Sequence, residues 1–206
     1  MATQARLKNE KEDRKRLILN NALILFRQNG LDGTTIRQIA KASDLAVGTI
    51  YLYFADKTQI FCALLIEGYD LLIDYMEEPA YTDSPENNIS KAVERYFSFA
   101  FANPEYFSLI FYTVQSRGQG VLDMAGKESE IYAALQKRKE NCLRFVKLHI
   151  RNLRNDLPEN ELENSAEAVW SMLAGIILFF GKDDKERFET ISRQAKKMIL
   201  NSLMSL

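Results

Sequence analysis

Gly33-Thr34-Thr35-Ile36-Arg37-Gln38-Ile39-Ala40-Lys41-Ala42-Ser43-Asp44-Leu45-Ala46-Val47-Gly48-Thr49-Ile50-Tyr51-Leu52-Tyr53-Phe54-Ala55-Asp56-Lys57 holds two short helical patterns and the turn between them. Thr35 and Gln38 are spaced as a capping box, in which the Thr35 hydroxyl bonds the third helical N–H and Gln38 reaches back to the cap. A short helix is predicted from there to Ala42. Ser43-Asp44 reads as a turn, and a second short helix is predicted over about Val47–Tyr53. Asp56-Lys57-Thr58-Gln59 repeats the capping pattern with Asp56 as cap and opens a long helix reaching about Glu78. The two short helices have helix-turn-helix spacing. Ile36, Ile39 and Ala40 are placed to pack against Leu45, Val47, Ile50 and Phe54, and the small Ala40 and Ala42 let the pair approach. Such packing suits many helical pairs, so spacing alone does not fix a function.

Upstream, residues 1–10 are polar and expected to fray. A first helix is predicted from about Glu10 to Gln28, with Ile18, Ala22, Leu25 and Phe26 as its apolar stripe. Asn29-Gly30 ends it, Gly30 being suited to a left-handed cap. Downstream, Pro79–Asn88 is a polar connection. Helices are then predicted over about Ile89–Ala102, Pro104–Val114, Asp123–Leu153, Glu161–Phe180 and Lys185–Leu203. Gly118 and Gly120, then Asp156-Leu157-Pro158, then Gly181-Lys182-Asp183-Asp184 mark the breaks between the later ones. With three-and-four apolar spacing, 4 prolines and 9 glycines, and no sustained alternation, the chain reads as all-α. The expected organisation is a three-helix head over residues 1–56 and a helical body over 57–206.

The residues of the head resemble those of a known family. Gly33 to Ala42, then Val47-Gly48-Thr49-Ile50-Tyr51-Leu52-Tyr53-Phe54 and Asp56-Lys57, closely resemble the DNA-binding domain of TetR-family regulators. The resemblance runs upstream through Ala22, Phe26 and Gly30 and covers about residues 12–65. The body resembles the family only in length and helical character.

That resemblance implies a recognition helix, Val47–Tyr53, lying in the major groove. Gly48 lets the backbone come close to DNA. Thr49 offers a hydroxyl to a base or phosphate and a methyl to thymine. Tyr51 and Tyr53 carry phenol hydroxyls suited to phosphates. Lys57 sits at a helix N-terminus, where N–H groups and the dipole already favour an anion. Thr35 is a similar phosphate clamp, and Arg37 reads a guanine or holds the backbone. The expected DNA contacts are therefore Thr35, Arg37, Val47, Gly48, Thr49, Tyr51, Tyr53 and Lys57. Where the family commonly has glycine in the inter-helix turn, this chain has Asp44, which tolerates the left-handed conformation better than most residues.

Charge first appears to oppose that reading. The 206 residues hold 27 Lys+Arg against 28 Asp+Glu, a formal net charge of -1. The distribution reverses the inference: residues 1–60 hold 10 bases and 6 acids, the remainder 17 and 22. A basic head can attract phosphate while the acidic body is kept off the duplex. The charged start lacks the apolar core of a signal peptide. The longest mostly apolar stretch, Val169–Phe180, is too short to span a bilayer, so no membrane partner is expected. Two cysteines outside any CxxC pattern suit a reduced, cytoplasmic protein. One histidine leaves no HExxH or multi-histidine metal site, and no Gly-rich phosphate loop or GxSxG motif is present. No enzyme, metal or cofactor is expected.

Two heads reading a palindromic operator require a homodimer. The last two helices are the expected interface. The first carries Ala166, Val169, Trp170, Leu173, Ile177 and Phe180, with Met172, Ile176 and Phe179 on its other side. The second carries Phe188, Ile191, Ala195, Met198 and Ile199. The family resemblance implies a small-molecule effector site among the middle helices, and residues 96–112 are rich in aromatics. Phe97, Phe101, Phe107, Phe111 and Trp170 are the expected wall, with Tyr112, Gln115 and His149 as polar contacts for an aromatic or lipophilic ligand. The expected function is a ligand-released repressor. The alternatives are an activator with the same DNA contacts and a helical adaptor that keeps the head fold without binding DNA.

Overall fold

The computed structural model describes residues 2–77, 84–115, 130–180 and 185–205, the side chains of 2–5, 7–8, 112–115, 180 and 185 apart. All regular structure among them is helical: α1 (Ala2–Asn29), α2 (Ile36–Ala42), α3 (Val47–Tyr51), α4 (Lys57–Met76), α5 (Pro85–Ala102), α6 (Pro104–Gln115), α7 (Glu130–Leu153), α8 (Glu159–Phe180) and α9 (Lys185–Ser205).

Packing sorts the described residues into two units. One draws on Met1–Gly68 and Glu105–Leu135, the other on Tyr69–Pro104 and Gln136–Leu206. The division falls within α4 and places α6 with the head. A boundary at residue 56 concerns which residues meet a partner, and packing does not address it.

In the first unit the stripe of α1 buries Ile18, Ala22 and Phe26, and Leu31, Ile39, Ile50 and Phe54 are buried in the same unit. Phe61 of α4 meets Phe26 edge to face, with ring centres 5.2 Å apart. Each such side chain, removed from water, contributes roughly 1.5–3 kcal/mol. Gly68 lets α6 lie close on α4: a Cβ there would come within 3.0 Å of Tyr106. Ion pairs Arg27–Glu105 and Arg16–Glu67 tie α1 to α6 and α4.

In the second unit α5, α8 and α9 pack together around aromatic contacts. Phe188 of α9 receives Phe97 at 5.1 Å and Phe101 at 4.7 Å, both edge to face. Tyr96 meets Trp170 at 5.3 Å. Arg138 of α7 holds Asp70 of α4 through two hydrogen bonds, 2.7 and 2.9 Å.

Several boundaries differ from expectation. Residues 2–10 do not fray out of the first helix: α1 begins at Ala2. Strong helix formers fill this stretch, and Arg6 pairs with Glu10 one turn on at 3.0 Å. α3 ends at Tyr51, with Leu52 as its C-cap. α5 starts at Pro85, earlier than Ile89, because Ser84 accepts a hydrogen bond from the Asn87 N–H and Pro85 occupies a first-turn position that needs no N–H. α8 starts at Glu159 and α9 continues to Ser205. The expected start of the seventh helix at Asp123, the glycines Gly118 and Gly120, the loop Gly181–Asp184 and most of the connection after Pro79 lie outside the described residues.

Candidate functional site

The head is assembled by its turns. Gly30 takes φ 70° and its N–H donates to the Phe26 carbonyl at 2.8 Å, closing α1. Thr34 is fully buried and its hydroxyl donates to the Gly30 carbonyl at 2.7 Å. The capping box forms as spaced: Thr35 Oγ1 accepts from the Gln38 N–H at 3.2 Å, and Gln38 Oε1 accepts from the Thr35 N–H at 2.8 Å. The Thr35 hydroxyl also donates to Gln38 Oε1 at 2.9 Å, so it serves the helix first.

α2 ends in a Schellman motif. Asp44 takes φ 53°, its N–H donates to the Lys41 carbonyl at 3.3 Å, and the Leu45 N–H donates to the Ala40 carbonyl at 2.9 Å. Asp44 thus does what glycine does in such a turn.

α3 turns Ile50 fully inward and Phe54 follows it into the core. Val47, Gly48, Tyr51 and Leu52 lie outward, pairing at four-residue spacing on one face, and Thr49 is half-buried. A Cβ added to Gly48 would meet nothing within 4 Å, so the backbone here is open to a close partner. Thr35 and Arg37 are exposed, and Tyr53 and Lys57 half-buried. Leu52, which sequence reasoning left out of the contact set, is 77% exposed. Its position one turn after Gly48 was a legible signal.

Lys57 is more engaged than expected. Its Nζ donates to the carbonyls of Leu31 at 2.8 Å and Thr34 at 3.2 Å. Asp56 caps α4 by accepting from the Gln59 N–H at 2.8 Å, while Gln59 Oε1 accepts from the Ala55 N–H at 2.6 Å, one residue before the cap.

The second unit contains an apolar cavity of about 40 Å³. Trp170 and His149 line it together with Tyr96, Phe145, Ile89 and Leu173 among others. The other expected wall residues lie elsewhere. Phe97 is buried against Phe188, and Phe101 packs on the same ring while 47% exposed. Phe107 and Phe111 belong to the first unit. The side chains of Tyr112 and Gln115 are outside the described residues. Aromatic density in the sequence marked rings that pack on one another, whereas the cavity draws on α4, α5, α7, α8 and α9 together. His149 is buried with Phe145 at 4.5 Å, and burial holds its imidazole below the ordinary value, favouring the neutral ring. Burial also pushes Cys62 up to about 11 and Cys142 up to about 12, so both behave as thiols.

The sequence model for bacterial regulatory proteins of the tetR family matches residues 18–64, the stretch that forms α1, the turn-linked pair α2–α3 and the start of α4. Over that stretch the chain has the head of a tetR-family protein. Its tetR-type head is 41% identical over 54 residues to the transcriptional regulator AcrR of Shigella flexneri, covering 26% of this chain and 25% of that one. The matched stretches span between 20% and 58% of the first four curated relatives' lengths. Over the whole chain the likeness is one of fold. The tetR-family regulator PfmR of Thermus thermophilus superposes with TM-score 0.70 at 20% identity, over 89% of this chain and 97% of that one. FadR of Bacillus subtilis, solved in complex with stearoyl-CoA, does so with TM-score 0.65 at 18% identity, over 89% and 96%.

The second unit also leaves an apolar face uncovered. On α8, Ala168, Ser171, Leu178 and Phe179 are exposed and Gly175 is half-exposed, all on one side of the helix. Phe179 is 83% exposed. A Cβ at Gly175 would meet nothing within 4 Å. On α9, Met198 is 55% and Met204 62% exposed. No helix among the described residues is long and apolar enough to cross a membrane.

Proposed function

We propose that this tetR-family chain is a dimeric transcriptional regulator, a repressor that binds a palindromic operator and is released by a lipophilic small molecule. The observation that carries the reading is α3: a one-turn helix anchored by buried Ile50 and held outward on a Schellman turn, with its open face unobstructed at Gly48. That is the geometry of a helix-turn-helix pair that lays its second helix in a major groove. Residues 1–56 form the DNA-binding part, with Val47, Gly48 and Thr49 at base edges, Thr35, Tyr51, Tyr53 and Lys57 at the backbone, and Arg37 at a guanine or the backbone. Residues 57–206 carry the effector site and the dimer contact.

The exposed stripe on α8, small at its middle and apolar at its end, supports a dimer through α8 and α9, since apolar area of this kind is costly to leave in water. The cavity around Trp170 and His149 supports the effector site. Its walls are almost wholly apolar, which suits a chain or ring and disfavours a buried charge. Stearoyl-CoA, the ligand of the Bacillus subtilis FadR structure, carries such a chain. A cavity of this size has to widen to admit one, and the energy of that widening is what can shift the dimer between DNA-binding and released states.

Selection from pooled random duplexes tests the reading. Recovery of an inverted repeat, with half-site centres about one helical turn apart or a multiple of it, supports it. Recovery of no enriched sequence overturns it.

A further inference from the structure

The open face of α3 has an unusual chemistry for a base-reading surface. Val47–Tyr51 and its C-cap Leu52 contain no Arg, Lys, Asn or Gln, the side chains that pair bidentately with guanine or adenine. What this face presents is apolar or hydroxyl-bearing: Val47 at 37%, Tyr51 at 54% and Leu52 at 77% exposure. Leu52 stands one turn after Gly48 on the same side, so the missing side chain of Gly48 leaves the leucine as the most prominent group there. Among the described residues it is also the most exposed large apolar side chain of the head. Arg37 and Lys41 are exposed on the adjoining α2, with Asp44 exposed in the turn, and the two cations are complementary to a phosphate-flanked partner.

We infer that Leu52 is a specificity-determining residue whose partner is the C5 methyl group of thymine, so that the α3-facing part of each half-site carries an A·T pair fixed by an apolar contact. The inference rests on the DNA-binding reading and adds the chemistry of the base it selects. In the major groove the thymine methyl is the apolar feature that an aliphatic side chain can cover. Burying one methyl-sized group is worth about a fourfold change in affinity. Val47, also exposed on α3, adds apolar surface, while Arg37 is left as the head's candidate for any guanine.

The test uses the full chain and the highest-affinity duplex recovered by its own selection. Each thymine of the half-site is replaced in turn by uracil, which removes the methyl and keeps every hydrogen-bonding group. The expected result is one position per half-site where the wild-type chain loses about fourfold per methyl and Leu52→Ala loses nothing further. Restoring a methyl at that position on 5-methylcytosine, paired with guanine, should recover part of the wild-type affinity. Leu52→Ala leaves an exposed site and keeps the fold, checked by its helical circular dichroism and thermal midpoint. A selected operator at which no uracil substitution weakens the wild type, or at which Leu52→Ala is as sensitive as the wild type, overturns the role of Leu52 and leaves operator binding standing. Failure to recover any operator overturns the DNA-binding reading itself, and this inference with it.

Discussion

The ammonium of Lys57 lies 2.8 Å from the carbonyl oxygen of Leu31, so the first residue of α4 straps the loop between α1 and α2. Lys57 was expected as a phosphate contact, and its second bond, to the Thr34 carbonyl, makes it also a tie within the head. The two roles separate experimentally. Lys57→Ala should lower stability by about 1–2 kcal/mol, as loss of a charged hydrogen bond does, seen in the denaturant midpoint. If the remaining donor reaches a phosphate, the slope of log affinity against log salt should also flatten by about one unit. A lower midpoint with an unchanged slope would show that Lys57 serves the fold alone.

Asp44 holds φ 53° where glycine is free of strain. Asp44→Gly should therefore stabilise the head by roughly 0.5–1 kcal/mol in chemical denaturation. It should also tighten DNA binding at low salt, because a carboxylate beside the duplex is removed. A destabilised variant would mean that the aspartate side chain makes a contact the turn needs.

His149 gives the second unit a pH signature. Burial depresses its folded-state value below the ordinary one near 6.5, so the unfolded chain takes up the proton first as pH falls. Its contribution is present above about pH 6.5 and is lost as pH falls from there through the depressed folded value. Between pH 7.5 and 5.5 the wild type should lose more stability than His149→Leu, with other groups acting on both alike. Equal losses would mean that the imidazole is as easily protonated folded as unfolded.

Among the described residues of α8, Phe179 is the most exposed large apolar one. Phe179→Glu should weaken self-association at least tenfold in sedimentation equilibrium, since it places a charge where apolar area is buried between copies. Because the side chain is 83% exposed, the variant should keep the monomer's helical content. Unchanged association would move the interface away from the end of α8.

The head was legible because its information is local. A capping box is four consecutive residues, and Thr35–Gln38 formed as spaced. The αL position of Asp44 follows from turn chemistry that aspartate tolerates. The tie that Lys57 makes to Leu31 and Thr34 was not legible, because those partners are 26 and 23 residues away and no periodicity reports a side chain reaching back to a carbonyl. The cavity was less legible for the same reason. Phe97 and Phe101 looked like wall, but their rings converge on Phe188, far along the chain. Trp170 and His149 border the void together with Tyr96 and Phe145, and helical spacing does not show which of several buried aromatics does so. Leu52 stands one turn after Gly48, a spacing legible in the sequence, and its 77% exposure is what the structure adds.

The central claim is that two copies of this chain read two half-sites at once. Titration of the selected duplex, followed by fluorescence anisotropy and analytical ultracentrifugation, tests it against a duplex with one half-site scrambled. Two chains per duplex and a loss of at least a hundredfold on scrambling are predicted. One chain per duplex, with affinity unchanged by scrambling, would contradict it.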